Sequence, residues 1–282
     1  MADALASGDV DTVVSLGCDL SEAGDHVNAA RCFQWAVAEG AEWVTCNLGN
    51  ELVSLDRDGE AIVMYHRAVR AGQTDAWLNL GQALERRGDP RAALDAFEHG
   101  HDAGDVNAGL AQAFLLREAD RRDEAEQIVQ QLADAGSALA DAVAACWLFN
   151  RTLDPALEQR LREGADLYPS ARADLAQLLH DSDRLLEAVE VLQRGTSLGE
   201  VESFLPLANL YLDDLDDPAT AEALYRAGID AGDMYCHHNL AALLADQNRL
   251  NEAIYHYECA AAAGDALAAQ ALRQLDADEE QG

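Results

Sequence analysis

The chain has 282 residues, of which 49% are apolar, and it carries 52 acidic against 19 basic residues for a formal net charge of −33. No apolar run approaches the roughly 20 residues needed to cross a bilayer, and so negative a chain repels nucleic-acid phosphates and anionic lipid. The acidity either attracts a basic partner or serves solvation alone, and every basic residue is arginine.

Glycines recur at a fixed step: Gly8, Gly40, Gly72, Gly104 and Gly136, then, after a degenerate stretch, Gly199, Gly232 and Gly264. Each closes one apolar-periodic segment and precedes the next, and a constant period of this size means stacked supersecondary units. After an N-terminal partial cap over residues 1–8, the units run over about 9–40, 41–72, 73–104, 105–136, 137–169, 170–199, 200–232 and 233–264. A capping helix over 265–276 and an acidic, solvated tail over 277–282 end the chain.

The third unit shows the pattern best. Trp77, Leu80, Gly81 and Leu84 fall three and four apart on one helix face. The break Arg87-Gly88-Asp89-Pro90 follows, then a second helix carrying Ala93, Phe97 and Gly100. Small Gly81 and Ala93 allow close approach while Trp77, Leu84 and Phe97 fill the gap. The first two units repeat the theme with Leu16-Gly17, Ala29 and Phe33, and with Leu48-Gly49, Ala61 and Tyr65. Leu207-Ala208 with Tyr225, and Leu240-Ala241 with Tyr257, carry it near the end. The fourth and fifth units are weakest, and there Asp141 stands at a large apolar position, Pro155 interrupts and Pro169 replaces the closing glycine.

Trp77-x-x-Leu80-Gly81-x-x-Leu84 followed by Ala93-x-x-x-Phe97 resembles the tetratricopeptide repeat, with a unit about two residues shorter. The Ala-Gly-Asp junctions are more similar to Sel-like repeats, without their extra loop. The resemblance spans nearly the whole chain and implies an all-α, right-handed α-solenoid of about eight helix-turn-helix repeats with a C-terminal capping helix. It also implies that the first helix of each pair lines a concave groove for a partner peptide.

Projected onto that groove are Asn47, Asn50, Asn79, Gln82, Asn209 and Asn239, with His238 beside the last. A carboxamide donates and accepts, so such residues can hold an extended peptide's backbone. Ala111, Val143, Asp174 and Pro206 interrupt the row. An apolar strip of Leu110, Phe114, Leu139, Val143 and Phe149 reads either as a docking site or as core, if the register slips in the degenerate units. The projected charges are mostly acidic: Asp11, Glu22, Asp75, Glu85, Glu118, Asp174, Asp181, Glu202, Asp213 and Asp246, against Arg86 and Arg117. They favour a basic ligand, and the absence of lysine argues against capture of a C-terminal carboxylate.

Chemistry is sparse. Cys236, His237 and His238 are successive, so a regular helix points them apart and they do not jointly chelate a metal; His237 falls at a core position. Cys146 and His180, with Asp174 and Asp181 near, read as a buried thiol and a surface imidazole rather than a catalytic pair. The six cysteines lack CxxC spacing and read as reduced thiols. With no basic, apolar leader at Met1, the expected address is the cytoplasm. The reading is a non-enzymatic, cofactor-free adaptor for a protein or peptide, with no nucleic acid or membrane bound. The alternative is an acidic inhibitor that sequesters a basic, nucleic-acid-binding protein.

Overall fold

A computed structural model describes residues 8–279, with side chains placed through Leu275. The described residues form seventeen α-helices and no strand. The chain divides into two compact units, residues 1–137 and 138–282. In the first lie α1 (Val10–Glu22), α2 (His26–Ala38), α3 (Thr45–Ser54), α4 (Asp58–Arg70), α5 (Ala76–Arg86), α6 (Pro90–Asp102), α7 (Val106–Glu118) and α8 (Arg122–Asp134). In the second lie α9 (Ala138–Thr152), α10 (Glu158–Gly164), α11 (Pro169–Asp181), α12 (Leu185–Leu198), α13 (Phe204–Asn209), α14 (Pro218–Asp230), α15 (Tyr235–Asp246), α16 (Leu250–Ala262) and α17 (Ala266–Glu279). Within each unit, helices pack on their neighbours in sequence as antiparallel pairs.

The punctuation is backbone chirality. Positive φ recurs every 16 residues through the first unit, at Gly8, Gly24, Gly40, Asp56, Gly72, Gly88, Gly104, Asp120 and Gly136. A helix ending in the left-handed region stops without a Cβ penalty at glycine, and aspartate or asparagine tolerates the same region because its short polar side chain bonds locally. Each closing position with positive φ is glycine, whereas the turn inside a pair also uses Asp56, Asp120, Leu153, Asp183, Asp216 and Asn248. Restarts are capped. Asp25, Asp89 and Asp217 accept hydrogen bonds from the backbone N–H groups of Asn28, Ala92 and Thr220, satisfying donors that a helix start leaves open. Pro90, Pro169 and Pro218 take the first helical position, where the missing N–H costs nothing. Pro169 therefore opens α11 rather than replacing a closing glycine.

One large side chain from each second helix fills the core: Phe33, Tyr65, Phe97 and Val129 in the first unit, Leu161, Leu192, Tyr225 and Tyr257 in the second, all buried. Each contributes about 1.5–3 kcal/mol by leaving water. Where the core residue is aromatic in the first unit, the facing first-helix residue is Gly17, Gly49 or Gly81, because the ring occupies the space a Cβ would need.

Arginines tie the outside together. Arg57, Arg121, Arg184 and Arg249 stand just before a second helix, and each bonds the glutamate three residues on, Glu60, Glu124, Glu187 and Glu252. Arg184 and Arg249 also reach back to Glu158 and Glu222 of the preceding pair, both at N···O distances below 3 Å. Arg67 grips Glu42.

The final helix runs to Glu279, past the expected end at Asp276, so residues 277–279 are helical rather than an unstructured tail. Residues 1–7 of the expected cap at 1–8, and residues 280–282 of the tail, lie outside the described residues.

Candidate peptide-binding face

In the first unit, α3 and α5 place Asn47, Asn50 and Gln82 at the surface, while Asn79 is half-buried. Two of these amides are joined. Asn50 Oδ1 accepts a hydrogen bond from the Tyr65 hydroxyl at 2.8 Å and another from Asn79 Nδ2 at 3.1 Å. Asn79 Nδ2 also lies 3.6 Å from Cys46 Sγ. Asn50 is thus first a partner for a buried phenol, whose pKa burial drives upward.

The second unit repeats the device. Asn209 Oδ1 accepts from the Tyr225 hydroxyl at 2.7 Å. His238 pairs with Asp265 at 2.8 Å and meets Tyr257 edge-on, and Asn239 is half-buried beside it.

The apolar strip is corrected. Leu110 on α7 is 5% exposed, and Val143 and Phe149 on α9 are 1% and 3% exposed. These three are core: Leu110 stands at the place of Cys46 in the second pair, itself buried, and one additional residue delays the positive-φ turn after α9 to Leu153, which shifts the register of Val143 and Phe149. Phe114, Leu139 and Arg117 are half-buried.

The carboxylates are at the surface. Asp11, Glu22, Asp75, Glu85 and Glu118 are exposed in the first unit, as are Asp181, Glu202, Asp213 and Asp246 in the second. Asp174 differs: half-buried, it accepts from Asn150 Nδ2 at 2.9 Å, and burial pushes its carboxyl above the usual range. Arg86 is held by Asp58 at 2.9 Å.

The sulfur and imidazole groups are dispersed. Cys146 is buried, and desolvation with the charge of Asp174 drives its thiol pKa up, away from nucleophilicity. His180 turns instead to Asp214, at 3.2 Å. Cys236, His237 and His238 face three different partners, Asp233, His256 and Asp265. Sequence reasoning missed Arg172, 3% exposed, which bonds the Ala165 carbonyl, Asp166 and Glu200. It also missed the His237–His256 contact, at 2.8 Å between Nδ1 atoms.

No protein-family model matches the sequence, and no curated protein is similar to it in sequence. Solved structures are similar in fold. A Sel1 repeat protein from Oxalobacter formigenes is 20% identical with a TM-score of 0.63, over 97% of this chain and 89% of that one. The protective antigen c5321 of uropathogenic Escherichia coli, with an SLR fold, is 18% identical with a TM-score of 0.60. That match covers 95% of this chain but 65% of that one, just under two thirds of its length. The Cut9–Hcn1 hetero-tetramer of the APC/C is 14% identical with a TM-score of 0.63, over 88% of this chain and 52% of that one. The fold is that of the Sel1-like and tetratricopeptide-repeat helical solenoids.

Proposed function

We propose that the protein is a non-catalytic interaction scaffold of the cytoplasm whose first-helix faces hold an extended, basic segment of a partner protein. Stacked helix pairs present long surfaces instead of one enclosed pocket, as repeat architectures do. The Cut9–Hcn1 assembly is one in which a chain of this fold is solved with a second protein. Unpaired cysteines, four of the six buried, suit a reducing compartment.

The observation that carries the reading is the division of charge. The arginines are largely taken up by carboxylates of their own or the adjoining helix pair, whereas first-helix carboxylates such as Asp11, Glu22, Glu85, Glu118 and Asp246 stand exposed. A basic segment gains from those charges, and Asn47, Gln82 and Asn239 supply amide groups for its backbone.

Selection of an unbiased peptide library on the immobilised protein tests this. Enriched peptides should be basic, and their dissociation constants should rise at least tenfold between 50 and 500 mM salt, as screening shortens the reach of exposed charges. Enrichment of neutral or acidic peptides, or none, overturns it.

A further inference from the structure

The most irregular first helix lies in the second unit. Past α13 the helix does not continue in α geometry; Leu210–Asp214 form a π-turn, with Leu215 N donating to Leu210 O at 3.1 Å. The cause is one additional residue. The small residue at the pair's contact stands seven before the positive-φ turn in the clear units, as with Gly49 and Asp56 or Ala241 and Asn248, but eight before it between Ala208 and Asp216. A π-turn absorbs a single insertion without breaking the helix, and it turns the residues within it by about 100° relative to the regular repeat.

Beside it lies a concavity of about 180 Å³ bounded by α11, α12, α13 and the π-turn. Gln177 and His180 form one wall, and Asn209, Asp213 and Asp214 the other. Ala173, Pro206 and Leu210 contribute apolar surface between them. At that volume it is smaller than the roughly 300 Å³ at which small-molecule pockets begin, so it suits one long side chain and not a cofactor. None of its lining residues is arginine, and its single basic group, His180, is bonded to Asp214. Asn209 holds the Tyr225 hydroxyl through its oxygen, and Gln177 donates to Asp181 at 2.8 Å, so both walls are set by bonds to neighbours.

We propose that this concavity is an arginine pocket: one arginine side chain of the bound segment lays its methylenes over Ala173, Pro206 and Leu210 and donates to the carboxylates of Asp213 and Asp214. The inference rests on the scaffold reading and gives its basic partner a fixed anchor. Arginine is favoured over lysine because its planar fork donates in two directions to two carboxylates, and because a guanidinium plane stacks on an imidazole such as His180. The stem is apolar and the head charged, which matches a site with an apolar floor and an acidic end.

The test uses the full ¹⁵N-labelled chain and three peptides, acetyl-Ala-Arg-Ala-amide and its lysine and citrulline counterparts. Citrulline keeps the shape of arginine and removes its charge. The arginine peptide should shift the amide signals of Gln177, Asn209, Asp213 and Asp214, with a dissociation constant at least tenfold below that of the citrulline peptide and below that of the lysine peptide. Asp213→Asn/Asp214→Asn should weaken the arginine peptide at least tenfold with the circular dichroism unchanged; should that variant unfold, Asp213→Asn alone serves with a threefold loss. Equal binding of citrulline, shifts spread over the acidic surface, or undiminished binding by the variants overturns the pocket. If the pocket fails while library selection still returns basic peptides, the scaffold reading survives; if selection fails, the reading falls whatever the tripeptides do.

Discussion

Gly49 lies against the ring of Tyr65 so closely that a Cβ added to it would stand 2.5 Å from Cε1 of the ring. Tyr65 is 2% exposed and has nowhere to move. Gly49→Ala therefore brings two opposed effects. Alanine gains about 1 kcal/mol over glycine inside a helix, whereas overpacking a tight core costs about 1–3 kcal/mol. The clash dominates, because the buried ring would have to be driven away from α3 into packed surroundings. We expect a net loss of about 1–2 kcal/mol in urea denaturation, and Gly49→Ala/Tyr65→Leu should recover most of it.

The hydroxyl of the same ring makes Asn50 a structural residue as well as a candidate binding residue. Asn50→Ala leaves the phenol without its acceptor, at a cost of about 1–3 kcal/mol for an unsatisfied buried group. Tyr65→Phe removes the need, so Asn50→Ala should cost much less in that background. Asn47→Ala and Gln82→Ala, at exposed positions, should leave stability within about 0.5 kcal/mol. Thermal melts of the four single variants and the Asn50/Tyr65 double variant check this. A loss of stability from Asn50→Ala equal in both backgrounds would show that the hydrogen bond carries none of it.

Much of this was legible in the sequence, because the repeat states its register many times. The Gly–aromatic pairings at Gly17–Phe33, Gly49–Tyr65 and Gly81–Phe97 follow from size alone. The all-α solenoid follows from the period. The Asn–Tyr bonds were also within reach: Asn50 accompanies Tyr65 and Asn209 accompanies Tyr225, while Phe33 and Phe97 are matched by Cys18 and Gln82 at the place of Asn50. A buried phenol needs a partner and a phenyl ring does not. Where the repeat decays, the register fails. Leu110 stands at the place of Cys46, which is itself buried, and Val143 and Phe149 project outward only if the clear units' phase is carried past Ala138, where one additional residue delays the positive-φ turn to Leu153. The 33-residue step from Gly199 to Gly232 marks an insertion, but its form, a π-turn at Leu210–Asp214, depends on backbone hydrogen bonding that spacing does not specify.

Arg172 is a charged residue at a position that is alanine in the three preceding pairs, Ala76, Ala108 and Ala140. It occupies a buried position of α11, yet its guanidinium meets Asp166 at 2.6 Å, Glu200 at 2.7 Å and the Ala165 carbonyl at 2.8 Å. Removing one member of a buried ion pair costs about 3–5 kcal/mol, chiefly because the remaining charge stays desolvated. Glu200 is mostly buried and Asp166 is largely exposed, so the penalty rests on Glu200 and lies at the lower end. Arg172→Ala should destabilise the protein by about 3 kcal/mol. Arg172→Met/Glu200→Gln, which keeps the bulk and removes both charges, should restore more than half, as read by denaturant midpoints.

The His237–His256 pair should make the last repeat sensitive to acid. Both rings are buried, at 6% and 8% exposure, and one donates its Nδ1–H to the other. Burial lowers the pKa of His237; burial and then the charge of His237 lower that of His256, with Arg226 adding to this and Glu252 and Glu222 opposing it. In the unfolded chain both titrate near the ordinary value of about 6.5. The native state thus favours the neutral rings, and their contribution to stability is complete above about pH 6.5 and is lost as pH falls toward the depressed folded values. Each proton that unfolding takes up steepens the loss by about 1.4 kcal/mol per pH unit. His180 works in the opposite sense, since Asp214 raises its pKa and its contribution fades as pH rises through the folded value. Melting midpoints from pH 7.5 to 5 should therefore fall for the wild type and fall more gently for His237→Gln/His256→Gln. Parallel profiles would mean that protonation of the pair is not what unfolds the repeat.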